Sequence, residues 1–403
     1  MASISQPPST PSTQDSAPDV SYIINELGED RASYLGSVTP PIFQTSNFCF
    51  PTVQEMRDSL AHEMDVPFYS RGHNPTVAVL RKKLAALAGA EEALVFSSGS
   101  AAIAAAVISQ VKAGDHVVCV SKPYSWTNKL LSKLLSRYRV TTTFIDGREL
   151  RNWEEAIRPE TRLFFMESPN SMTFDLQDIE GVVAIARACG IITVLDNSYA
   201  SPLNQQPIKL GVDITTHSAS KYLAGHSDLV AGVLCTSREI AEQIFEGEFM
   251  TLGGIISPHD AWLMIRGLRT LPLRMQRVAE TTPQVVAYLE KHPKVEEVLY
   301  PFSPHFPQYE MAQQQMRRGT GQFSILLRAP DIASCESFCN ALRRFLMACS
   351  WGGHESLIFP ICTLYDSMNY GETPLPWNFI RFYVGLEEPE VLIADLAQAL
   401  DQI

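Results

Sequence analysis

The sequence is short of positive charge: 32 Lys and Arg stand against 44 Asp and Glu over 403 residues, a formal net charge of -12. That balance repels phosphate backbones and anionic headgroups, which excludes nucleic acid and membrane surfaces as expected partners. No apolar run is long enough to span a bilayer. The opening MASISQPPSTPSTQDSAPDV lacks the basic stretch and apolar core of a secretory signal, so the expected compartment is the cytoplasm. Cysteine pairs of the CxxC type are missing. The eight cysteines (Cys49, Cys119, Cys189, Cys235, Cys335, Cys339, Cys349, Cys362) are scattered, several within apolar stretches, and read as free thiols, with no zinc or disulfide framework and no metal site expected. Large apolar side chains are almost absent from residues 1–20, which cannot repay the entropy of ordering and are expected to be a disordered tail.

What is present is a globular chain, 45% hydrophobic and too long for one ordinary core, so a large domain plus a smaller one is expected. The folded part is expected to start near Ile23. From Ala93 to Thr236, short β-rich runs alternate with helical patterns: ALVF (93–96), HVVCV (116–120), VTTTFI (140–145), RLFFM (162–166), IITVLD (191–196), DITTHS (213–218) and LVAGVLC (229–235). Near-continuous apolar strands separated by helices predict an α/β fold, with a seven-stranded, mainly parallel sheet covered on both faces. Within it, Ile179, Val182, Val183 and Ala186 recur at helical spacing, and Gly190 is the expected left-handed stop. A long helix over about 261–292 joins this region to PKVEEVLYP, GQFSILLR and a final helix PEVLIADLAQALDQI, which read as a smaller α/β domain.

The chemistry gathers around DITTHSASKYLAGHSDLVAGVL, residues 213–234. An isolated lysine at a strand end is usually a solvated charge. Lys221 instead follows a buried strand, with Ser218 and Ser220 placed to donate to a phosphate and a glycine turn after it. An amine beside phosphate donors is what a phosphate-bearing aldehyde such as pyridoxal 5'-phosphate (PLP) requires. Asp196 closes IITVLD at the carboxyl edge of the sheet, where open α/β sheets bind ligands; it can pair with a pyridinium nitrogen, although a lone aspartate there is often a helix cap. LVFSSGSAAIAAAV (94–107) runs from a strand into an Ala-rich helix whose first N–H groups, near Gly99 and Ser100, form an anion site.

With these residues in view, YSRGHNPT (69–76), SSGSAA (97–102), ESPNS (167–171), LDNSY (195–199), SASKYLAGHSD (218–228), RGLRTL (266–271), SWGGHESL (350–357) and IRFYVGLE (380–387) resemble the ordered motif series of the Cys/Met-metabolism PLP enzymes. That family includes cystathionine γ-synthase, cystathionine γ- and β-lyase and methionine γ-lyase. The resemblance implies the fold type I PLP-dependent transferase fold. It implies a disordered tail 1–20, an arm 21–65 making oligomer contacts, a PLP-binding domain 66–265 and a C-terminal domain 266–403. It also implies a homotetramer, a dimer of dimers with shared sites, in which Tyr69 and Arg71 reach a neighbour's phosphate. Gly99, Ser100, Ser218 and Ser220 would hold the phosphate, and Tyr124 would stack on the ring and move protons. Asp196 would pair with the ring nitrogen, Lys221 would form the imine and later shuttle the proton, and Arg381 would clamp the substrate carboxylate beside Ser350 and Cys349.

Departures from the series bear on the substrate. Where many relatives carry Asn at the fifth position of Glu-x-Pro-x-Asn-Pro, this chain has Ser171, with Asn170 one place earlier. Ser171 and Trp351 resemble the β-lyase branch, whereas YSRGHNPT is closer to the γ-acting members. Cys349 stands where γ-acting relatives often carry a glutamate that recognises a distal amino group. The leading expectation is a lyase performing β- or γ-elimination on a compact L-amino acid. Two alternatives stand beside it: a γ-replacement transferase, and a PLP-binding regulator without turnover, which the presence of Arg381 and Tyr124 disfavours.

Overall fold

The computed structural model describes residues 19–365 and 375–403. The expected tail therefore falls outside the described residues except for its last two. Helical structure is already present before Ile23, where Asp19 caps the short helix α1 (Val20–Asn25) through the Tyr22 N–H and the helix buries Ile23 and Ile24.

Seven strands form the large sheet: β1 (Glu92–Phe96), β2 (His116–Val120), β3 (Thr141–Ile145), β4 (Thr161–Glu167), β5 (Ile192–Asp196), β6 (Ile214–Ser218) and β7 (Gly232–Thr236). Their order is β1-β7-β6-β5-β4-β2-β3, with β7 antiparallel to both neighbours and the remaining pairs parallel. Runs such as His-Val-Val-Cys-Val are buried along their whole length, as a sheet covered on both faces demands. The helix Ile179–Ala188 packs Ile179, Val182, Val183 and Ala186 inward, and Gly190 follows it at φ +65°.

The 33-residue helix Pro258–Glu290 links two cores. Ala261 to Val278 pack beneath the large sheet, while Val285, Val286 and Leu289 enter the core of a second sheet. That sheet is β8 (Val295–Leu299), β9 (Gln322–Leu327), β10 (Leu346–Met347), β11 (Leu357–Pro360) and β12 (Phe379–Tyr383), ordered β10-β11-β12-β9-β8. No helix among the described residues is long and apolar enough to cross a membrane.

Between α1 and the large sheet, the chain runs through α2 (Val53–Ala61) to α3 (Pro75–Ala88). Its start is pinned by buried Glu29, whose carboxylate meets Lys83 at 3.0 Å and Arg269 at 3.2 Å. Beyond that anchor α2 buries none of its residues, and Leu35, Val38 and Val53 are 100%, 73% and 73% exposed.

Candidate active site

Apart from Tyr69 and Arg71, the expected site residues lie around the carboxyl edge of the large sheet. Asp196 ends β5 and lies in cross-strand register with Glu167 at the end of β4 and with Thr216 on β6, so the three side chains share one face. Asp196 accepts the Ser198 N–H at 3.0 Å and the Ser198 hydroxyl at 2.6 Å. Burial raises its carboxyl above the usual range, while Ser198 and the nearby Lys221 ammonium oppose that shift. The buried Thr216 hydroxyl beside it has no partner among the described residues.

Lys221 sits in the turn after β6. Its Nζ donates to the Ser350 hydroxyl at 2.9 Å and lies 5.8 Å from the Trp351 ring centroid. Burial, reinforced by Arg381, lowers its pKa and makes the neutral nucleophilic amine more accessible. Arg381, on β12, is 7% exposed and donates to the carbonyls of Cys349 at 2.9 Å and Ser350 at 3.4 Å. Burial pulls its pKa down to about 10, and among the described residues no carboxylate pairs with it. A buried guanidinium with no carboxylate beside it is suited to pair with an anionic group of a ligand.

A second anion site opens at α4 (Gly99–Ile108). Ser98 caps it by accepting the Ala101 N–H at 3.1 Å. The N–H groups of Gly99 and Ser100 have no protein acceptor among the described residues and lie at the positive end of the helix dipole. The cradle is close-packed: a Cβ on Gly99 would stand 3.0–3.2 Å from Ser218, and one on Gly232 only 2.0 Å from the Ser98 carbonyl oxygen. Ser220 is less open than Ser218, because its hydroxyl donates to the Ala231 carbonyl at 3.3 Å and accepts the Ala231 N–H at 3.0 Å.

Tyr124 opens the short helix α5 (Ser125–Lys129) and is 40% exposed. Burial of its phenol raises the pKa, against a hydrogen bond with Ser100; the phenol also feels Asp196, Cys349 and Glu167. Tyr124, Lys221, Arg381 and Cys349 therefore form one electrostatic cluster. Tyr69 and Arg71 do not join it within this chain. Both are exposed, they stack on each other at 5.4 Å, and no hydrogen bond links either to Lys221.

Two features are not apparent in the sequence. Glu167 closes the apolar run 163–166 of β4 and meets Tyr124 and Ser171, and an acid ending such a run is the signal that could have revealed it. Asn170 instead organises its own turn, its side-chain oxygen accepting the N–H groups of Met172, Thr173 and Phe174 at 3.2, 3.0 and 2.9 Å.

The family model for Cys/Met metabolism PLP-dependent enzymes matches residues 22–401. Among relatives, the L-methionine gamma-lyase of Pseudomonas deceptionensis is 38% identical over 374 residues, covering 91% of this chain and 93% of that protein. The cystathionine gamma-lyase of Bacillus subtilis (strain 168) is 35% identical over 380 residues, covering 91% and 95% respectively. The crystal structure of metB from Corynebacterium glutamicum superposes with a TM-score of 0.89 at 32% identity, covering 95% of this chain and 98% of that one. The residues present fit PLP: an amine with lowered pKa, a buried carboxylate, and a glycine-walled helix N-terminus with spare N–H groups.

Proposed function

This chain belongs to the Cys/Met metabolism PLP-dependent enzymes, and from that membership we propose that it is a lyase eliminating a small neutral leaving group from a compact L-amino acid. The observation that carries the reading is the unpaired Arg381 fork, joined to Lys221 through residues 349 and 350. An amino acid carboxylate on Arg381 would bring its Cα to the Lys221 amine. When bound, PLP supplies the electron sink that makes loss of the Cα proton feasible.

Lys221 is the lysine that would carry the cofactor and then hold the proton at Nζ, with the Ser350 hydroxyl at 2.9 Å orienting it. Asp196 would keep the ring nitrogen protonated. Gly99, Ser100 and Ser218 would hold the phosphate, with Tyr69 and Arg71 supplied by a neighbouring chain. Tyr124 Oη, kept protonated at neutral pH by burial, would protonate the departing group. Elimination and hydrolysis would give the released thiol or related group, a 2-oxo acid and ammonia.

The two lyase relatives act on methionine and on cystathionine, which differ at the distal end. Cystathionine ends in a second, cationic amine. Beside Cys349 stand Lys221 and Arg381, and among the described residues neither forms a salt bridge with a carboxylate, so a distal cation is disfavoured there relative to a neutral side chain such as that of methionine. The test compares kcat/KM for cystathionine and for small β- and γ-substituted amino acids, in wild type and in Cys349→Glu. Compact substrates should win in wild type, and the glutamate should shift preference towards cystathionine. A wild type that prefers cystathionine, with no shift in the variant, would remove Cys349 as the selector.

The same reading makes the protein a cytoplasmic homotetramer, supported by the exposed apolar arm and by the placing of Tyr69 and Arg71 outside their own site.

A further inference from the structure

Glu167 has no part in the chemistry assigned to Lys221, Tyr124 and Arg381, yet it joins two loops of the site. It is 4% exposed. Oε2 accepts the backbone N–H of Tyr124 at 2.7 Å, and Oε1 accepts the Ser171 N–H at 2.9 Å and the Ser171 hydroxyl at 2.6 Å. Three donors converging on both oxygens call for a carboxylate, because an amide would turn an NH₂ towards one of the backbone N–H groups. Tyr124 begins α5 with no side-chain cap, so its backbone is fixed here by a carboxylate from β4.

We propose that Glu167 is a positioning residue: by clamping the Tyr124 backbone to the turn at Ser171, it fixes where the Tyr124 ring stands against a cofactor held by Asp196 and Lys221. The inference rests on the assignment of those three residues to the cofactor. It differs from a purely structural role in that its effect must pass through the Tyr124 ring. Glu167 also neighbours Asp196 across the β4–β5 pair. Burial raises both carboxyls, but at Asp196 the Ser198 hydrogen bonds and then Lys221 oppose it, while at Glu167 the Asp196 charge adds to it and pushes it up to about 7. Asp196 thus keeps the charge that faces the cofactor, and Glu167 acts through its hydrogen bonds.

The experiment uses the PLP-loaded protein and reads visible circular dichroism per bound cofactor, which reports how rigidly the ring is held, beside kcat and KM. Wild type is measured first; if it bound no PLP the cofactor assignment itself would fall, a result distinct from any effect of Glu167. Glu167→Gln should retain cofactor stoichiometry, lose at least about half of the dichroism and lower kcat about tenfold, with KM changed by less than about threefold. In a Tyr124→Ala background the same substitution should cost less than about twofold, since coupled residues are non-additive. Glu167→Asp keeps the acid but shortens its reach, guards against a misfolded glutamine variant, and should show the same loss of dichroism. Wild-type dichroism in either variant, or an undiminished tenfold loss on top of Tyr124→Ala, would overturn the assignment.

Discussion

Arg381 is costly where it stands, a guanidinium 7% exposed that meets two carbonyls, the Phe359 ring at 5.4 Å and, at 3.8 Å, the Met172 sulfur, with no carboxylate partner among the described residues. Burying a charge without its counterion is unfavourable, so Arg381→Met should stabilise the substrate-free protein by about 1–2 kcal/mol while lowering kcat/KM by at least about 100-fold. Denaturant unfolding beside steady-state kinetics checks both, and a destabilised variant with intact kcat/KM would place Arg381 in the scaffold alone. Glu167 gives a second prediction, in pH. Its folded pKa, raised to about 7 by burial and then by Asp196, lies above its ordinary value of 4.5. Its contribution to stability is therefore fully present below about pH 4.5 and is lost as pH rises through about 7. Cofactor-free Glu167→Gln should show a flatter decline in stability across that window than wild type; equal slopes would show that Glu167 does not titrate there. Lys221 and Asp196 stand out in the sequence as candidates because each follows or closes an apolar strand inside a specific motif, whereas Arg381, in the middle of β12, is singled out only by the resemblance of IRFYVGLE. Ser171 and Asn170 are harder to read, because their hydrogen bonds depend on how one turn closes.

At the scale of elements, the phosphate cradle depends on β7 pressing against the turn between β1 and α4. A methyl on Gly232 would meet the Ser98 carbonyl oxygen at 2.0 Å, so the turn has to move to admit it. Gly232→Ala should cost about 3 kcal/mol and weaken PLP binding at least about tenfold, measured by denaturant unfolding and by titration of apoprotein. Gly99→Ala, with contacts of 3.0–3.2 Å to Ser218, should weaken binding with a smaller stability loss. Unchanged PLP affinity in both would place the phosphate elsewhere. The strands of the large sheet are readable as apolar runs: RLFFM, expected at 162–166, is seen at Thr161–Glu167. β10, β11 and β12 are not legible in the same way, since β10 has two residues and Leu357–Pro360 is brief and closes on a proline. Their pairing depends on β12 placing Arg381 opposite Phe359 and Ser324, a long-range register that local pattern does not encode.

At the scale of the whole molecule, the proposed site draws Tyr69 and Arg71 from a neighbouring chain. Among the described residues neither Tyr69 nor Arg71 hydrogen-bonds Lys221, and an arm with Leu60 56% and Val53 73% exposed extends between the buried Glu29 anchor and α3. Both observations favour sites built across a two-fold contact. Mixing Lys221→Ala with Arg71→Ala protein, each inactive alone, should restore about a quarter of wild-type activity, because half of the dimers are hybrids and one of their two sites is intact. No recovery after verified subunit exchange would put Arg71 in its own chain's site. The central claim, that this fold places one lysine to carry PLP, is tested most directly by borohydride reduction of the assembled wild-type protein followed by peptide mapping. The account predicts one reduced cofactor per chain, attached to Lys221; attachment at another lysine, or none, would contradict it.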